Sequence, residues 1–289
     1  MINAEFVSYL EKTLAYTCDT KLKILNIQRE HGGDINHSFK LDTNTGQFFL
    51  KVNNAEAYPM MFEKEFRGLT ELTNKSNFRI PEGIQFGVFN NLSFLLMEYL
   101  PLTSNGNWME FGRTLASMHL QSSEEVGLDY SNYIGSIAQH NTPCESWAEF
   151  YSEMRLLPLC REAFNKGLLE KQELNKMERL CARLSQIYPV EKPALIHGDL
   201  WSGNIAFCKE KPCIYDPAIY YGHREMDLAM TLLFGSLPIE MYQAYNEVYS
   251  LEKSWKSRIE VSQLYPLLVH LLLFGTSYAG RIKRILKSY

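Results

Sequence analysis

The stretch IHGDLWSGN at 196–204, followed by IYDPA at 214–218, brings Asp199, Asn204 and Asp216 into one short span of chain. Their order and spacing are those of a phosphoryl-transfer centre. In such a centre an aspartate accepts the proton of the attacking hydroxyl, an asparagine five positions later holds metal, and a second aspartate beyond the next hairpin bridges magnesium to the phosphates. HGDLWSGN follows Pro193 and the apolar Ala194 to Ile196 and leads into Ile205 to Phe207. Its polar residues therefore form a loop between two short strands, where catalytic groups are commonly mounted. Asn204 offers a neutral oxygen to magnesium, which prefers oxygen ligands and keeps several waters. Gly203 permits a turn that a Cβ would obstruct. A tight turn with Asp199 and Asn204 bonded to nearby backbone amides would use the same residues; His197, Gly198 and the later DPA weigh toward the chemical reading.

Asp216 ends an apolar run, Cys213 to Tyr215, where an unpaired carboxylate is costly to bury. A bound cation removes that cost; a cap before Pro217 is the structural alternative. Proline at 217 stands where protein kinases carry the phenylalanine of DFG, and its fixed φ argues against their in/out switch. The expectation is a permanently assembled metal site. His119, His197 and His223 show no metal-ligand spacing and are given orienting roles at most.

Upstream, Leu22 to Leu100 reads as short β-like runs with one helix between them, whereas helical periodicity dominates from Trp108, interrupted by a strand-like region at 194–221. Strands are expected at Lys23 to Gln28, Ser38 to Leu41 and Gln47 to Val52, with turns at Gly32, Gly33 and Gly46, in an antiparallel meander. A helix from Met61 to Asn74 buries Phe62, Phe66 and Leu69 on one face. Glu65 shares that face, so a cation should meet it, and Lys51 at the end of QFFLK is the candidate. In the competing reading Glu65 is solvated at the edge of the stripe and Lys51 snorkels from an edge strand. Gly32 and Gly33 could bring backbone amides to phosphates; paired glycines also make ordinary turns, and the spacing fits neither GxGxxG nor a P-loop.

Phe94 to Leu100 reads as a buried strand stopped by Pro101, and the SNGN that follows has linker composition. Two domains are expected, 1–100 and 101–289. Trp108, Phe111, Leu115 and Met118 define the next helix, with others near 145–165, 170–187, 225–234, 238–248 and 256–285.

A chain of 289 residues, 46% hydrophobic and 21% charged, is ordinary globular material. Its net charge of −4 offers no basic footprint for nucleic acid or anionic lipid. The six cysteines form neither CxxC pairs nor a zinc pattern and read as reduced thiols. The charged start is unlike a secretion signal, and the apolar run at 264–274 is shorter than the roughly 20 residues of a membrane span. No membrane association is expected, and the cytoplasm is the expected location.

Together these residues resemble the fructosamine kinases, or ketosamine-3-kinases, within the aminoglycoside-phosphotransferase and choline-kinase group. The similar segments are GGDINHSFKL (32–41), FFLKVN (48–53), LLMEYL (95–100), NYIG (132–135), SWAEFY (146–151), HGDLWSGNIAF (197–207), YDPAIYYGHREMDLAMTLLFG (215–235) and QLYPLLVHLLLFG (263–275). The HGDxxxxN pattern is shared widely, whereas LWSGN and DPAxYYGHRExDLAM are far more specific. The resemblance implies an α+β, protein-kinase-like bilobal fold: a small antiparallel N-terminal nucleotide-binding lobe with one helix, and a larger, mainly helical catalytic and substrate-binding lobe.

It also implies transfer of the γ-phosphate of ATP, with Mg2+, to the 3-hydroxyl of a fructosamine or related ketosamine, a small-molecule glycated amine. By match to the motifs, Lys51 holds the α/β-phosphates and pairs with Glu65, and Gly32 and Gly33 lie in the nucleotide loop. Met97, Glu98, Tyr99 and Leu100 form the adenine hinge. Asp199 is the base, and Asn204 and Asp216 are the magnesium ligands. Trp201 stacks on the sugar, His197 supports the loop and Asp227 braces it. One departure is Asp34, where many relatives carry a cysteine; it leaves no thiol there to oxidise and sets a negative charge near the phosphates. A kinase for choline or an aminoglycoside, and a catalytically silent nucleotide-binding scaffold, are the alternatives. Oligomeric state is not legible.

Overall fold

The computed structural model describes residues 2–18, 21–30 and 36–289. The chain divides into two compact units, Met1–Asn74 with Ile80–Leu102, and Lys75–Arg79 with Thr103–Tyr289. The expected break at 100/101 falls close to the second crossover between units, but the short segment 75–79 belongs with the later residues.

The first unit begins with helix α1 (Ala4–Cys18), then strands β1 (Ile24–Glu30), β2 (His37–Thr43) and β3 (Gln47–Asn54), helix α2 (Met61–Lys75), and strands β4 (Gly83–Phe89) and β5 (Leu92–Glu98). β1, β2 and β3 form the expected meander, and the full order is β1-β2-β3-β5-β4, antiparallel throughout. β3 is therefore the central strand. Because successive side chains of a strand face opposite ways, Leu50 and Val52 point to one side. There they join Phe6, Leu10 and Leu14 of α1 with Leu41, Phe94 and Leu96 in a single apolar cluster. Lys51 lies between them and faces the other side. That α1 covers the first face, and that β4 forms the edge, was not read from the sequence.

The second unit contains α3 (Trp108–His119), a small hairpin β6 (Asn132–Ile134) and β7 (Ile137–Gln139), and α4 (Trp147–Phe150). A π-helical turn, Tyr151–Leu156, runs from α4 into α5 (Leu157–Asn165), followed by α6 (Lys171–Cys181) and α7 (Leu184–Ile187). The strand-like region resolves into four short strands, β8 (Ala194–Ile196), β9 (Ile205–Cys208), β10 (Lys211–Ile214) and β11 (Tyr220–Gly222). Helices α8 (Glu225–Met230), α9 (Ile239–Val248), α10 (Trp255–Ser262), α11 (Leu264–Phe274) and α12 (Ala279–Leu286) complete the unit. The single helix expected over 256–285 is in fact three: Gly275, at φ +90°, stops α11, and a turn of 3-10 helix precedes α12.

Phe111, Leu115 and Met118 of α3 are fully buried, as their spacing predicts. On the same helix Gly112 lies against α9, where a Cβ would collide with the backbone carbonyl of Met241. Among the described residues no helix is long and apolar enough to cross a membrane.

Candidate active site

β8 and β11 pair antiparallel, Leu195 opposite Tyr221, and the residues leaving β8 and approaching β11 carry the polar groups. Cross-bonds stitch these two segments together. The Ala218 N–H donates to the His197 carbonyl at 2.9 Å, the Tyr215 N–H to the Asn204 carbonyl at 3.2 Å, and the His197 ring Nε2 to the Tyr215 carbonyl at 3.0 Å. Gly198 makes the close approach possible: its φ is +80°, and a Cβ would run into the Ala218 carbonyl oxygen. The sequence reading gave Gly198 no role of its own. Gly203 has a different reason from the one expected. A Cβ there would meet the Trp201 ring, so its smallness seats that indole.

Asp199, Asn204 and Asp216 converge on this junction. The Asn204 amide donates from Nδ2 to the Asp199 carbonyl at 2.9 Å and to its carboxylate Oδ2 at 3.1 Å. The amide oxygen Oδ1 is thereby turned away from Asp199, as a neutral ligand to a cation would need to be. Asp199 is half-buried, and its carboxyl is pushed up to about 7, first by burial and then by the nearby charge of Asp216, against the lowering bond from Asn204. Asp216 sits at φ +57°, in the left-handed region that aspartate tolerates better than most residues, immediately before Pro217. The Asp199 and Asp216 carboxylates beside a neutral amide oxygen form a donor set suited to a hard, oxygen-seeking divalent cation. Among the described residues no cluster of three or more His, Cys, Asp or Glu side chains is arranged as a metal cage. Magnesium does not require one, since phosphates and water supply its other ligands.

A second layer fixes the loop. Asp227 of α8, fully buried, accepts the backbone N–H of Gly198 on Oδ1 at 2.9 Å and that of His197 on Oδ2 at 2.7 Å. His119 meets the same Oδ2 with Nε2 at 3.2 Å, and its Nδ1 is hydrogen-bonded to the Tyr245 hydroxyl at 2.8 Å. α9, α3 and α8 are thus linked to the loop by one chain of hydrogen bonds. His197 is itself buried, which holds its ring below the ordinary histidine range. In the neutral tautomer demanded by the Tyr215 carbonyl, Nδ1 accepts the Asp199 N–H at 3.3 Å. Trp201 is 36% exposed and meets Phe234 edge-on at 5.9 Å, so it is not a core residue.

In the first unit Lys51 and Glu65 meet at 2.6 Å, with the lysine 4% exposed. The competing reading, a solvated glutamate and an edge-strand lysine, is overturned because β3 is central and its odd-numbered face looks toward α2. Met97 and Glu98 end β5, opposite Phe49 and Phe48 of β3; Leu100 is buried, and the Lys40 ammonium sits 4.9 Å from the centre of the Tyr99 ring. Gly32, Gly33 and Asp34 lie outside the described residues.

The segment GHRE at 222–225 supplies support that the sequence reading missed. Arg224 forms a two-pronged pair with Glu191 (2.8 Å for each bond) and stacks 3.6 Å over Tyr249. Glu225 does the same with Arg258 of α10 at 2.6 and 2.7 Å. Together these pairs set the start of the helix that carries Asp227. His223, 4% exposed, is pushed down to about 4 by burial, which outweighs the raising charge of Glu191. Burial alone would raise Glu191, but the Arg224 hydrogen bonds and the neighbouring cations hold it below the usual carboxylate range.

A depressed histidine stabilises the fold fully above its unfolded value near 6.5, and that stability is lost as pH falls toward 4. Between pH 7.5 and 4.5 the loss is about 2–3 kcal/mol from His223 alone, or roughly 5–10 °C in Tm. Thermal unfolding across that range checks it. His223→Gln should flatten the slope, and an unchanged slope would contradict the assignment.

The family model described as fructosamine kinase matches residues 7–289. A protein of Enterococcus faecium named a probable ketoamine kinase is 36% identical, covering 89% of this chain and 93% of its own. A protein-ribulosamine 3-kinase of Arabidopsis thaliana, named as chloroplastic, is 35% identical over 92% of this chain and 83% of its own. A Thermobifida fusca protein assigned as a fructosamine-3-kinase has a crystal structure that superposes with a TM-score of 0.84 at 33% identity, covering 94% and 96% of the two chains. An aminoglycoside phosphotransferase, at 14% identity and a TM-score of 0.61 over 96% and 98% of the two chains, shows the fold alone: α+β and protein-kinase-like. On the match of the family model and the shared length and identity of these relatives, the chain belongs to the fructosamine kinase family.

Proposed function

We propose that this kinase transfers the γ-phosphate of ATP to the 3-hydroxyl of fructosamines or related ketosamines, through Asp199, Asn204 and Asp216. The observation that carries the reading is the convergence of those side chains on the β8/β11 junction, with Asn204 bonded to Asp199 and Asp216 felt by it. The relatives' printed names, ketoamine kinase and ribulosamine 3-kinase, support the acceptor class.

Asp199 accepts the proton of the sugar hydroxyl as its oxygen bonds to the γ-phosphorus and the bond from phosphorus to the bridging oxygen breaks, leaving ADP. The Asn204 amide and the Asp199 N–H bond to His197 set the direction of the carboxylate. Magnesium would be held by Asn204 Oδ1 and the Asp216 carboxylate, and when bound it neutralises charge on the phosphates. Lys51, steadied by Glu65, would meet the α/β-phosphates, Gly32 and Gly33 would approach them, and Met97 to Leu100 would line the adenine. Trp201, half in solvent, presents an aromatic face to the C–H edge of a sugar ring. Residues 1–100 are read as the nucleotide lobe and 101–289 as the catalytic lobe. A cytoplasmic site of action belongs to the same reading, and the free thiols of Cys144, Cys160, Cys181, Cys208 and Cys213 suit a reducing compartment.

The test is ADP release with magnesium-ATP across a panel of fructosamine, ribulosamine, choline and an aminoglycoside. Turnover on the ketosamines alone is expected. Turnover confined to choline or the aminoglycoside would overturn the acceptor class, and nucleotide binding with no turnover on any of them would point to a silent scaffold.

A further inference from the structure

Among the described residues Arg155 is the largest fully buried side chain, at 0% exposure, on the π-helical turn between α4 and α5. Such turns insert an extra residue into a helix and are frequent at functional positions. Among the described residues no carboxylate lies within ion-pair distance of its guanidinium. Instead Nη1 donates to the carbonyls of His140 (2.5 Å) and Met154 (3.1 Å), and Nη2 to Asn141 Oδ1 (2.6 Å). The rings of Phe150, Tyr220 and Tyr265 surround it at 4.4, 4.3 and 5.2 Å. Nε has no partner. A buried cation without a counter-ion is expensive, and a core built only for stability would have placed an apolar residue here.

The hydrogen bonds downstream show what the arginine does. A guanidinium can only donate, so Asn141 must present its oxygen to it. The Asn141 amide nitrogen then points to Asn132 Oδ1 at 2.9 Å. With its oxygen so engaged, Asn132 donates from Nδ2 to the Ile219 carbonyl at 2.9 Å. Gln139, its oxygen bonded by the Tyr265 hydroxyl at 2.8 Å, donates to the same Asn132 Oδ1 at 2.7 Å and to the Ala218 carbonyl at 3.0 Å. Asn132, Gln139 and Asn141 are all buried. Two branches of bonds, one from Arg155 through Asn141 and Asn132 and one from Tyr265 through Gln139, meet on the backbone of 218–219, which directly follows Asp216 and Pro217.

We propose that Arg155 is a positioning residue for phosphoryl transfer: its donor-only guanidinium fixes the polarity of the Asn141 amide, which with Gln139 orients Asn132 to pin the segment carrying Asp216. This rests on the reading of Asp216 as a ligand to the nucleotide's divalent cation. Gln139 holds Asn132 Oδ1 from the other side, so the arginine's own share is Asn141: without a donor facing its oxygen, that amide can flip. A flipped Asn141 sets its oxygen against Asn132 Oδ1, weakens the Asn132 bond to the Ile219 carbonyl and loosens the cation site.

The experiment measures Mn2+ binding by electron paramagnetic resonance in the presence of ADP, for the whole chain, at a temperature where circular dichroism shows each variant folded. Asp216→Ala sets the level without a site. Arg155→Met, close in length but with nothing to donate, is expected to weaken Mn2+ binding about ten-fold. Arg155→Lys, another donor-only cation, should stay within about three-fold of the wild type. Asn132→Leu, which cuts the chain below an intact arginine, should reproduce the loss and keeps the idea testable if Arg155→Met does not fold. A merely structural arginine would lower Tm and leave Mn2+ binding of the folded fraction unchanged. Wild-type binding in Arg155→Met or Asn132→Leu, or a lysine variant as weak as the methionine one, would overturn the proposal. A wild-type protein that binds no Mn2+ with ADP would instead overturn the metal reading of Asp216, and this inference with it.

Discussion

The Asp199→Asn enzyme is expected to fold as well as the wild type and to lose turnover by about a thousand-fold, roughly 4 kcal/mol of transition-state stabilisation. The substitution keeps the shape of the side chain and an oxygen for the Asn204 amide, so the loop has no reason to rearrange. It removes the group that takes up the hydroxyl proton. The effect on stability should be neutral or favourable, because burial and Asp216 both oppose the ionised carboxylate and a neutral amide escapes both penalties. The KM for ATP should change by less than about three-fold, since Asp199 acts on the acceptor. Steady-state kinetics and a thermal melt on the same preparation separate the two quantities. Turnover within ten-fold of the wild type would show that the base lies elsewhere.

Asp227→Ala should be damaging in a different way. It deletes the acceptor for the backbone N–H groups of His197 and Gly198 and for the His119 ring, all in a site closed to water. Unsatisfied buried donors cost about 1–3 kcal/mol each, and partial relaxation leaves a net loss of roughly 4 kcal/mol, or about 10 °C in Tm. Because those N–H groups belong to the residues just before Asp199, turnover of the folded fraction should also fall by about a hundred-fold. Asp227→Asn is not a rescue, since an amide must turn its own N–H toward one of the donors that the carboxylate accepted. A variant with unchanged Tm and turnover would remove Asp227 from the bracing role.

The contrast between these two variants follows from how the site is built. The bond from Asn204 and the charge of Asp216 act on the reacting carboxylate itself, whereas Asp227, His119 and Tyr245 act on the backbone beneath it. The sequence exposes the first group because phosphoryl transfer dictates residue type and spacing within a short span of chain. It hides much of the second. His119 reaches Asp227 from a helix far away in sequence, with Tyr245 behind it, and nothing in a histidine on an amphipathic helix announces that its Nε2 will meet a carboxylate.

Glycines divide in the same way. Gly198 is required by a carbonyl twenty positions later, which only the pairing of β8 with β11 makes visible. Lys51 and Glu65 were readable as a possible pair but undecided, because the choice rested on whether β3 is an edge or a central strand. β5, returning beside β3 after α2 and β4, settles it. Long helices were seen as long helices, but the breaks at Gly275 and at the π-helical turn were not, since apolar periodicity runs through both. The buried arginine at 155 is the clearest case of this blindness: in the sequence it is one charge within an amphipathic helix, and only the fold shows that it faces inward.

The account is tested most directly by the product itself. With magnesium-ATP and a fructosamine labelled with 13C at C-3, phosphorus and carbon NMR should show a new phosphomonoester coupled to that carbon, formed by the wild type and absent with Asp199→Asn. A phosphate on any other hydroxyl, or the same product from the asparagine variant at an undiminished rate, would contradict it.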